Sequence, residues 1–336
     1  MSLGPPAIQR ATESWDTVAA IAGRMIMAAS EFLDLLEAPQ RERAQLPFTT
    51  EARLDWDYRP RLRPGLPLRA MREPQQAAAW RLIDLALSIH GSAKTRGVLA
   101  LEAILQERTA DKAYRDPLNY ALAVFGAPGA NPWAWRFEGH HVSLSLTLVS
   151  GLGIAVTPHF FGANPFSGRV VNDGHGGLEC VLERESALAF QIVEDLRPTE
   201  LAQALIASEA PPDFLTGPGR ERSLREPAGL RVATMAPAQR ELIERLIDTF
   251  IGHLAPEVTT PIAGRLRQSG LDSLRFAWAG ATTPDRLHYW RLHGPTLLLE
   301  YDRTEPDHAH SVWHDPSDHF GEDLLRRHHE TAHRHD

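Results

Sequence analysis

Histidines cluster in two parts of this sequence, and histidine is the commonest metal ligand and the side chain that titrates closest to neutral pH. Ten of the sixteen histidines lie in the last 49 residues, from His288 onward. Two of them, His308 and His310, form an H-x-H pair within EPDHAHSVWHDP. A second group, the GHH of Gly139–His141, lies upstream in WRFEGHHVSLSLTL. The clustered histidines predict a site without naming its reaction.

The H-x-H pair has the spacing of a chelating pair. On an extended strand, residues two apart point to the same side, so His308 and His310 would bind one ion together. Imidazoles without thiolates favour a hard-to-borderline ion, namely zinc, iron, manganese or copper. A third ligand must come from elsewhere, and the candidates are His141, His159, His314, Glu300 and Asp302. The alternative is a polar turn that is rich in histidine by chance.

The upstream pair lies in a strand that we predict over 133–149. Strict alternation along HHVSLSLTL places His141 on the face of the serines and the threonine, and His140 on the face of the valine and the leucines. His141 is therefore the stronger candidate for contact with a metal or ligand. His140 remains a candidate metal ligand, although a histidine at that position is more often satisfied by one hydrogen bond at the core edge.

Acidic and basic side chains near the histidines supply the other parts of a catalytic site. Asp302 or Glu300 would serve as ligand or base. Arg136 and Arg291, in WRFEG and WRLHG, would hold a substrate carboxylate, with structural ion pairs as the alternative. The leading hypothesis is a metal-dependent enzyme that activates water or dioxygen at an open coordination position. It would act by hydrolysis or oxidation on a small substrate, anionic if the arginines bind it.

Two rival hypotheses compete with this one. A non-enzymatic binding protein would use the histidines to hold a small ligand or to sequester metal, and a closed coordination shell would distinguish it. The second rival rests on HETAH at 329–333, which matches the H-E-x-x-H motif of zinc metallopeptidases. This match lies within eight residues of the end of a histidine-rich sequence, where a helix frays, so chance is its simpler explanation.

Composition sets outer limits on the function. The net charge of −8 argues against a nucleic-acid partner. Cys180 is the single cysteine, which excludes an intrachain disulfide, a cysteine-rich zinc site and an iron–sulfur cluster. The first apolar stretch, VAAIAGRMIMAA, follows two acidic residues and contains an arginine, so we expect no signal peptide and no membrane span. The expectation is a cytoplasmic protein with a small-molecule ligand or substrate.

Two parts of the sequence resemble each other. GLPLRAMREPQ begins at Gly65 and GLRVATMAPAQ begins at Gly229, 164 residues later, and RLID recurs at the same separation. WRFEG and WRLHG follow in both parts, 155 residues apart. At 336 residues the chain also exceeds what one hydrophobic core usually serves. We therefore predict an internal duplication, divided into a lead-in (1–29), a first unit (30–165), a connector (166–189), a second unit (190–316) and a C-terminal helix with its tail (317–336).

Each unit is predicted to place helices before strands. Apolar residues at three- and four-residue steps predict helices over 17–38, 74–90, 96–108, 183–208, 236–253 and 256–268. Runs rich in valine, leucine and aromatic residues predict strands over 133–149, 153–160, 273–280, 287–293, 296–302 and 309–314. This order indicates an α+β fold of two halves related by a pseudo-twofold axis, with a ligand site in the cleft between them.

Three blocks of the sequence are similar to a known bacterial family, the one catalogued as domain of unknown function 3500. The blocks are PWAWRFEGHHVSLSLTL, TPHFFGANP and YWRLHGPTLLLEYD, the last continuing into HAHSVWHDPSDHFGEDLLRRHH. The resemblance covers roughly 20–330 and includes both histidine groups, at Gly139–His141 and His308–Trp313. It implies no particular activity, because none is established for that family.

Overall fold

The structure of the protein is a computed structural model that describes residues 15–110, 112, 114–171 and 178–332. Within these residues the chain forms ten α-helices and fifteen strands. The helices are α1 (Trp15–Asp34), α2 (Ala38–Ala44), α3 (Thr50–Leu54), α4 (Glu73–Ala86), α5 (Ile89–Arg108), α6 (Glu183–Asp195), α7 (Pro198–Ala204), α8 (Pro237–Ile251), α9 (Pro256–Ser269) and α10 (Glu322–Ala332). The strands are β1 (Gln45–Leu46), β2 (Leu66–Pro67), β3 (Ala121–Phe125), β4 (Trp133–Gly139), β5 (Val142–Val149), β6 (Gly153–Ala155), β7 (His159–Ala163), β8 (Arg169–Val171), β9 (Leu178–Cys180), β10 (Leu205–Ala207), β11 (Leu230–Arg231), β12 (Arg275–Gly280), β13 (His288–His293), β14 (Leu298–Glu305) and β15 (His308–His314).

Thirteen of the described strands form one large mixed sheet. Its order is β1-β3-β4-β5-β7-β15-β14-β13-β12-β10, and β2, β6 and β11 pair with β3, β5 and β12 beside this path. The antiparallel pair of β7 and β15 lies at the centre, where Gly162 is opposite His310 and His159 is opposite Trp313. Strands from both parts of the chain therefore join in a single sheet, and the prediction of a mixed α+β fold is confirmed.

Helices cover one face of this sheet. Alternate side chains of β4 and β5, such as Trp135, Phe137 and Leu144, are buried in the main hydrophobic core. Against them pack the apolar stripes of the helices; in α4 and α8 the fully buried members include Leu82 and Leu246. These residues recur at three- and four-residue steps, so each helix buries one side and exposes the other. The predicted helices over 74–90 and 236–253 match α4 and α8 to within a few residues.

The opposite face of the sheet carries the polar members of the strand alternation and is covered by irregular segments. A second apolar cluster joins Trp56 and Tyr58 from one segment and Phe214 from another to Phe160 and Val312 of the sheet. Buried carboxylates of the strands hold these segments in place by accepting their backbone N–H groups, as in Asp57 to Glu138 and Phe214 to Asp302. This polar face, and not the helical one, contains the candidate site.

Three predicted elements are wrong in detail. The strand predicted over 153–160 is interrupted, because β6 ends at Ala155 and β7 begins at His159. The strand predicted over 133–149 is a hairpin, because β4 ends at Gly139 and β5 begins at Val142. The helix predicted over 183–208 is divided into α6, α7 and the short strand β10. Pro198 at the first position of α7 explains the break between α6 and α7, because proline starts a helix readily but disfavours a helical residue before it.

Candidate metal centre

The H-x-H pair lies on β15, which begins at His308, one residue before the strand predicted over 309–314. His310 is directly opposite Asp302 of β14, so the two side chains lie next to each other on the same face. The pairing of β14 and β15 shifts register between Asp302 and Glu305, and Glu305 is opposite His308. Each histidine of the pair thereby has its own carboxylate neighbour: Nδ1 of His308 lies 3.1 Å from Glu305, and Nδ1 of His310 lies 3.2 Å from Asp302.

His141 reaches the same place from a turn and not from a strand. It is the second residue of the two-residue connection between β4 and β5, with φ at 66°. Histidine is one of the few non-glycine residues that adopt this left-handed conformation with any frequency. The continuous strand assumed by the predicted alternation is wrong, because the backbone reverses at His141, yet its ring still joins His308 and His310 on the polar side.

Hydrogen bonds hold the turn that carries His141. Its N–H donates to the carbonyl of Tyr58 (3.0 Å), and its carbonyl accepts from the N–H of Gly162 (2.8 Å). The hydroxyl of Tyr120 donates to the carbonyl of His140. The His141 ring packs directly on Gly162, where a β-carbon would lie only 2.6 Å from two ring atoms. The imidazole therefore has a defined position next to β7 and β15.

Three imidazoles meet above the polar face of the sheet. Nε2 of His141 and Nε2 of His308 are 2.9 Å apart, and one nitrogen from each of His141, His308 and His310 lies within 4.8 Å of the others. The ring of His310 stands edge-on to both of the other rings, with centroids 5.3 Å and 4.5 Å away. His141 and His310 are buried, while the side chain of His308 is 21% exposed. Solvent can therefore approach the three imidazoles only from the side of His308.

The two nitrogens of His310 have different surroundings. Its Nδ1 lies 3.2 Å from Asp302 and 3.4 Å from Asp213. Its Nε2 is buried and has no hydrogen-bond partner among the described residues. A carboxylate on the outer nitrogen is the usual companion of a histidine that binds metal through its other nitrogen. The unsatisfied Nε2 and the chemistry of three imidazole donors therefore fit a metal ion.

Charge in the metal-free site is concentrated on His310. Burial alone would lower its pKa, but the carboxylates of Asp302 and Asp213 outweigh this effect and raise the pKa to about 9. Burial lowers the pKa of His141 well below its usual value, and it also lowers that of His308. Two imidazoles are thus neutral, as metal binding requires, and the third is protonated between two carboxyl groups.

Asp213 and Tyr58 form the wall beside His310. Both lie in the irregular segments that cover this face, and the hydroxyl of Tyr58 donates a hydrogen bond to Asp213. Burial raises the pKa of Asp213, but hydrogen bonds from His310 and Tyr58 outweigh it and lower the value overall. Burial raises the pKa of the Tyr58 phenol, so this group stays a neutral donor. Asp213, Asp302 and His310 thus form a second group of side chains that could hold a metal ion.

His140 lies behind His141 rather than among the ligands. The two rings stack with centroids 3.6 Å apart and planes inclined by 28°. Nδ1 of His140 contacts the carboxyl group of Glu102 from α5, and Nη1 of Arg115 lies 2.6 Å from its Nε2. Burial raises the pKa of Glu102 to about 8 and lowers that of His140 well below its usual value. His140 therefore supports the position of His141 from behind.

Two other predicted ligands lie elsewhere. His159 is on the helix-covered face of β7, where its ring contacts those of Phe161, His253 and Trp313, and both of its nitrogens are buried. Because neighbouring residues of a strand face opposite sides, His159 cannot reach His310 across the sheet. His314 is on the polar face, but its Nε2 lies 3.1 Å from the carbonyl of Thr216.

The predicted acid and arginine residues divide into two kinds. Asp302 belongs to the site, as described. Glu300 is fully buried and accepts hydrogen bonds from Leu215 (2.8 Å) and from the hydroxyl of Tyr289 (2.7 Å), so it anchors a covering segment. Arg136 donates to the carbonyl of Asp55 (2.7 Å). Arg291 is buried, and it lies opposite Glu300 in the pairing of β13 with β14. None of these three side chains contacts the histidine group in the structure.

The described residues of the HETAH sequence are not part of this group. His329 and Glu330 are exposed on α10, and His333 lies outside the described residues. The site instead includes residues that sequence reasoning missed: Tyr58, Glu102, Arg115 and Asp213. They come from segments without periodic or motif signals, apart from Glu102 in a helix, so no local pattern could have identified them.

The model of the family described as "Protein of unknown function (DUF3500)" matches residues 19–322. The chain belongs to this family. The resemblance inferred from the sequence blocks is therefore confirmed, and the matched range of this DUF3500 member includes every residue of the histidine site. Neither the curated proteins nor the solved structures compared with it include a match. Among the helices of its described residues, none has the length and apolar character needed to span a membrane.

Proposed function

We propose that this protein is a metal-dependent enzyme in which His141, His308 and His310 bind one divalent transition-metal ion. The observation that carries the proposal is the convergence of three imidazoles, one of which has a buried, unpartnered Nε2 and a carboxylate on its other nitrogen. Stability alone would not favour this convergence, because a buried nitrogen without a hydrogen-bond partner is costly.

The charges of the site support a single ion. Three neutral imidazoles contribute none, and the two carboxylates of Asp213 and Asp302 contribute two negative charges behind His310. One divalent cation would balance them, and it would replace the proton that His310 holds in the metal-free state. Three histidine ligands suit zinc first, and also iron, copper, nickel or cobalt.

The open side of the site favours catalysis over storage. Protein ligands approach from the turn and from β15, and the partly exposed His308 marks the side that faces solvent. Three protein ligands with a free position are the pattern of catalytic zinc sites, whereas structural sites have four. A bound ion would supply Lewis-acid activation of water or, if redox-active, of dioxygen. Hydrolysis and oxidation of a small substrate are both consistent with this arrangement.

The chain's own residues would divide the remaining tasks. Asp302 is fully buried and orients His310, so it is a positioning residue. Asp213 is 30% exposed, lies beside His310 and is ionised at neutral pH, so it is placed to accept a proton from water or substrate. The hydroxyl of Tyr58 holds Asp213 in this orientation. Glu300 and the two predicted arginines have no part in this scheme.

Metal analysis of protein purified without a metal-affinity tag tests the proposal. We expect about one equivalent of a transition metal, and its loss in the His308→Ala/His310→Ala double variant. His329→Ala is the matched control, because His329 is an exposed histidine of α10 and should leave the metal content unchanged. A wild-type protein that binds no transition metal, as isolated or after incubation with candidate ions, would overturn the proposal.

Cobalt substitution then separates an enzyme from a storage protein. A site with an open position should bind an added anion such as azide and change its visible spectrum. A spectrum that no added anion alters would indicate a closed shell and favour the non-enzymatic function.

We also propose that the fold arose by internal duplication of the units 30–165 and 190–316. In support, the two units pair their short strands in the same way. β1 pairs in parallel with β3, as β10 does with β12. β2 pairs antiparallel with β3, as β11 does with β12. Gly65 and Gly229 have φ values of 104° and 103°, and at both a β-carbon would collide with a strand carbonyl. Superposition of the units in an experimental structure tests this proposal; failure to align β3–β7 with β12–β15 in order would contradict it.

A further inference from the structure

We infer that Arg115 binds an oxyanionic group of the substrate beside the metal, so that the substrate is a small molecule bearing a carboxylate or a phosphate. The inference rests on the proposed metal site and adds its substrate class. Four observations on the described residues carry it.

The first observation is that neither of the two arginines predicted to hold the substrate is available at the histidine group. Arg136 is buried and divides its nitrogens among the carbonyls of Arg53 (3.0 Å) and Asp55 (2.7 Å) and the carboxylate of Glu138 (3.2 Å). Arg291 is buried opposite Glu300. Arg136 cannot turn toward a ligand at the histidines without breaking these buried contacts, which is costly.

The second observation is the position of Arg115. Its Nη1 lies 2.9 Å from Nδ1 and 2.6 Å from Nε2 of His140. The His140 ring is stacked on that of His141, with centroids 3.6 Å apart. One stacked ring therefore separates the guanidinium group from a proposed metal ligand.

The third observation is the state of the Arg115 charge. Three nearby arginines in the segments before β3 are paired with acids: Arg59 with Asp57, Arg61 with Asp55, and Arg69 with Asp116. Among the described residues, Arg115 has no carboxylate oxygen within ion-pair distance, and its side chain contacts the ring of His140. A half-buried guanidinium without a direct ion pair attracts an anion more strongly than one in water.

The fourth observation is the geometry of the unused donors. Only Nη1 of Arg115 contacts His140, so Nε and Nη2 have no partner among the described residues. These two nitrogens form one edge of the planar guanidinium group, the edge that binds a carboxylate or phosphate with two parallel hydrogen bonds.

Anion titration of the cobalt-loaded protein tests the inference, with oxalate and inorganic phosphate as probes. We expect one of them to change the visible spectrum of the wild-type complex with saturation. Arg115→Gln should weaken the binding of that anion about 10- to 100-fold, because two charged hydrogen bonds are lost. Arg115→Lys should weaken binding less than Arg115→Gln, since lysine keeps the positive charge but cannot donate two parallel hydrogen bonds. The anion that responds identifies the class, carboxylate or phosphate.

Arg81→Gln is the matched control, because Arg81 is an exposed arginine of α4, paired with Glu31 on the helical side. It should not change anion binding. Anion affinity is compared at saturating cobalt, and cobalt affinity is measured separately in each variant, which separates recognition from a structural effect on His140. Cobalt binding with no effect of Arg115→Gln on either anion would overturn this inference alone. Failure of the wild-type protein to bind cobalt would overturn the proposed function and the inference with it.

Discussion

Gly162 of β7 provides the sharpest test of how the site is built, because it carries no ligand and yet sets the position of one. A β-carbon on Gly162 would lie 2.6 Å from both Cγ and Cδ2 of His141 and 3.0 Å from its Cβ. Carbon atoms in contact are most stable at about 3.5–4.0 Å, so Gly162→Ala must displace the ring or the strand by about 1 Å. The His141 ring has little freedom to move, since its turn is hydrogen-bonded on both sides.

Two losses follow from this displacement. Overpacking of this size costs about 1–3 kcal/mol of the free energy of unfolding in the metal-free protein. Metal–ligand distances tolerate only about 0.2 Å, so displacement of one imidazole should also lower the affinity for Zn²⁺. We expect a loss of about 10- to 100-fold, the range seen when the orientation of a ligand is disturbed.

A double-mutant cycle with His141→Ala assigns the cost to this contact. Unfolding by urea in metal-free buffer gives the stabilities, and competition with a chromophoric chelator gives the Zn²⁺ affinities. In the His141→Ala background the extra methyl group meets no ring, so Gly162→Ala should be nearly neutral and the coupling energy should be about 1–3 kcal/mol. Gly23→Ala is the control, because a β-carbon there meets nothing within 4 Å; within α1 it should stabilise by about 0.5–1 kcal/mol. A coupling energy below about 0.5 kcal/mol, or wild-type Zn²⁺ affinity in Gly162→Ala, would refute the packing argument.

Three further predictions follow from charge. The pKa of metal-free His310 is raised to about 9, so Zn²⁺ must displace its proton below that pH and affinity should rise with pH up to about 9. Calorimetry at pH 7 in buffers of different ionisation enthalpy should detect about one released proton, and no release would exclude His310 as a protonated ligand. Asp302→Asn removes the charge that orients His310 and should lower Zn²⁺ affinity about 10- to 100-fold, with the far-ultraviolet circular dichroism unchanged; full affinity would contradict the orienting role. On the helical face, Lys94 and Glu185 form a buried ion pair, so Lys94→Met should cost about 3–5 kcal/mol in urea unfolding, and Lys94→Met/Glu185→Leu clearly less. Equal losses in the single and double variants would contradict the cost assigned to an unpaired buried carboxylate.

Elements with a strong local pattern were predictable from the sequence. The apolar steps that include Leu82 and Leu246 predict α4 and α8, because a helix that buries one side needs apolar residues at those intervals. The H-x-H pair on β15 follows equally from the two-residue repeat of a strand. The hairpin turn at His140 and His141 was missed, because polar and apolar residues alternate straight through it and GHH has none of the asparagine–glycine signals of such turns.

The histidine types, their spacing and the family were determined by the sequence alone, because chelating spacing and strand alternation are local properties. Which residues join the site was decided only by the tertiary structure. Glu300 and Asp302 are two residues apart on one face of β14, yet register places Asp302 opposite His310 and leaves Glu300 to anchor a covering segment. His141 and Asp213 lie 167 and 97 residues before His308 and His310, respectively. Long-range strand pairing brings them together, and no short stretch of sequence encodes that pairing.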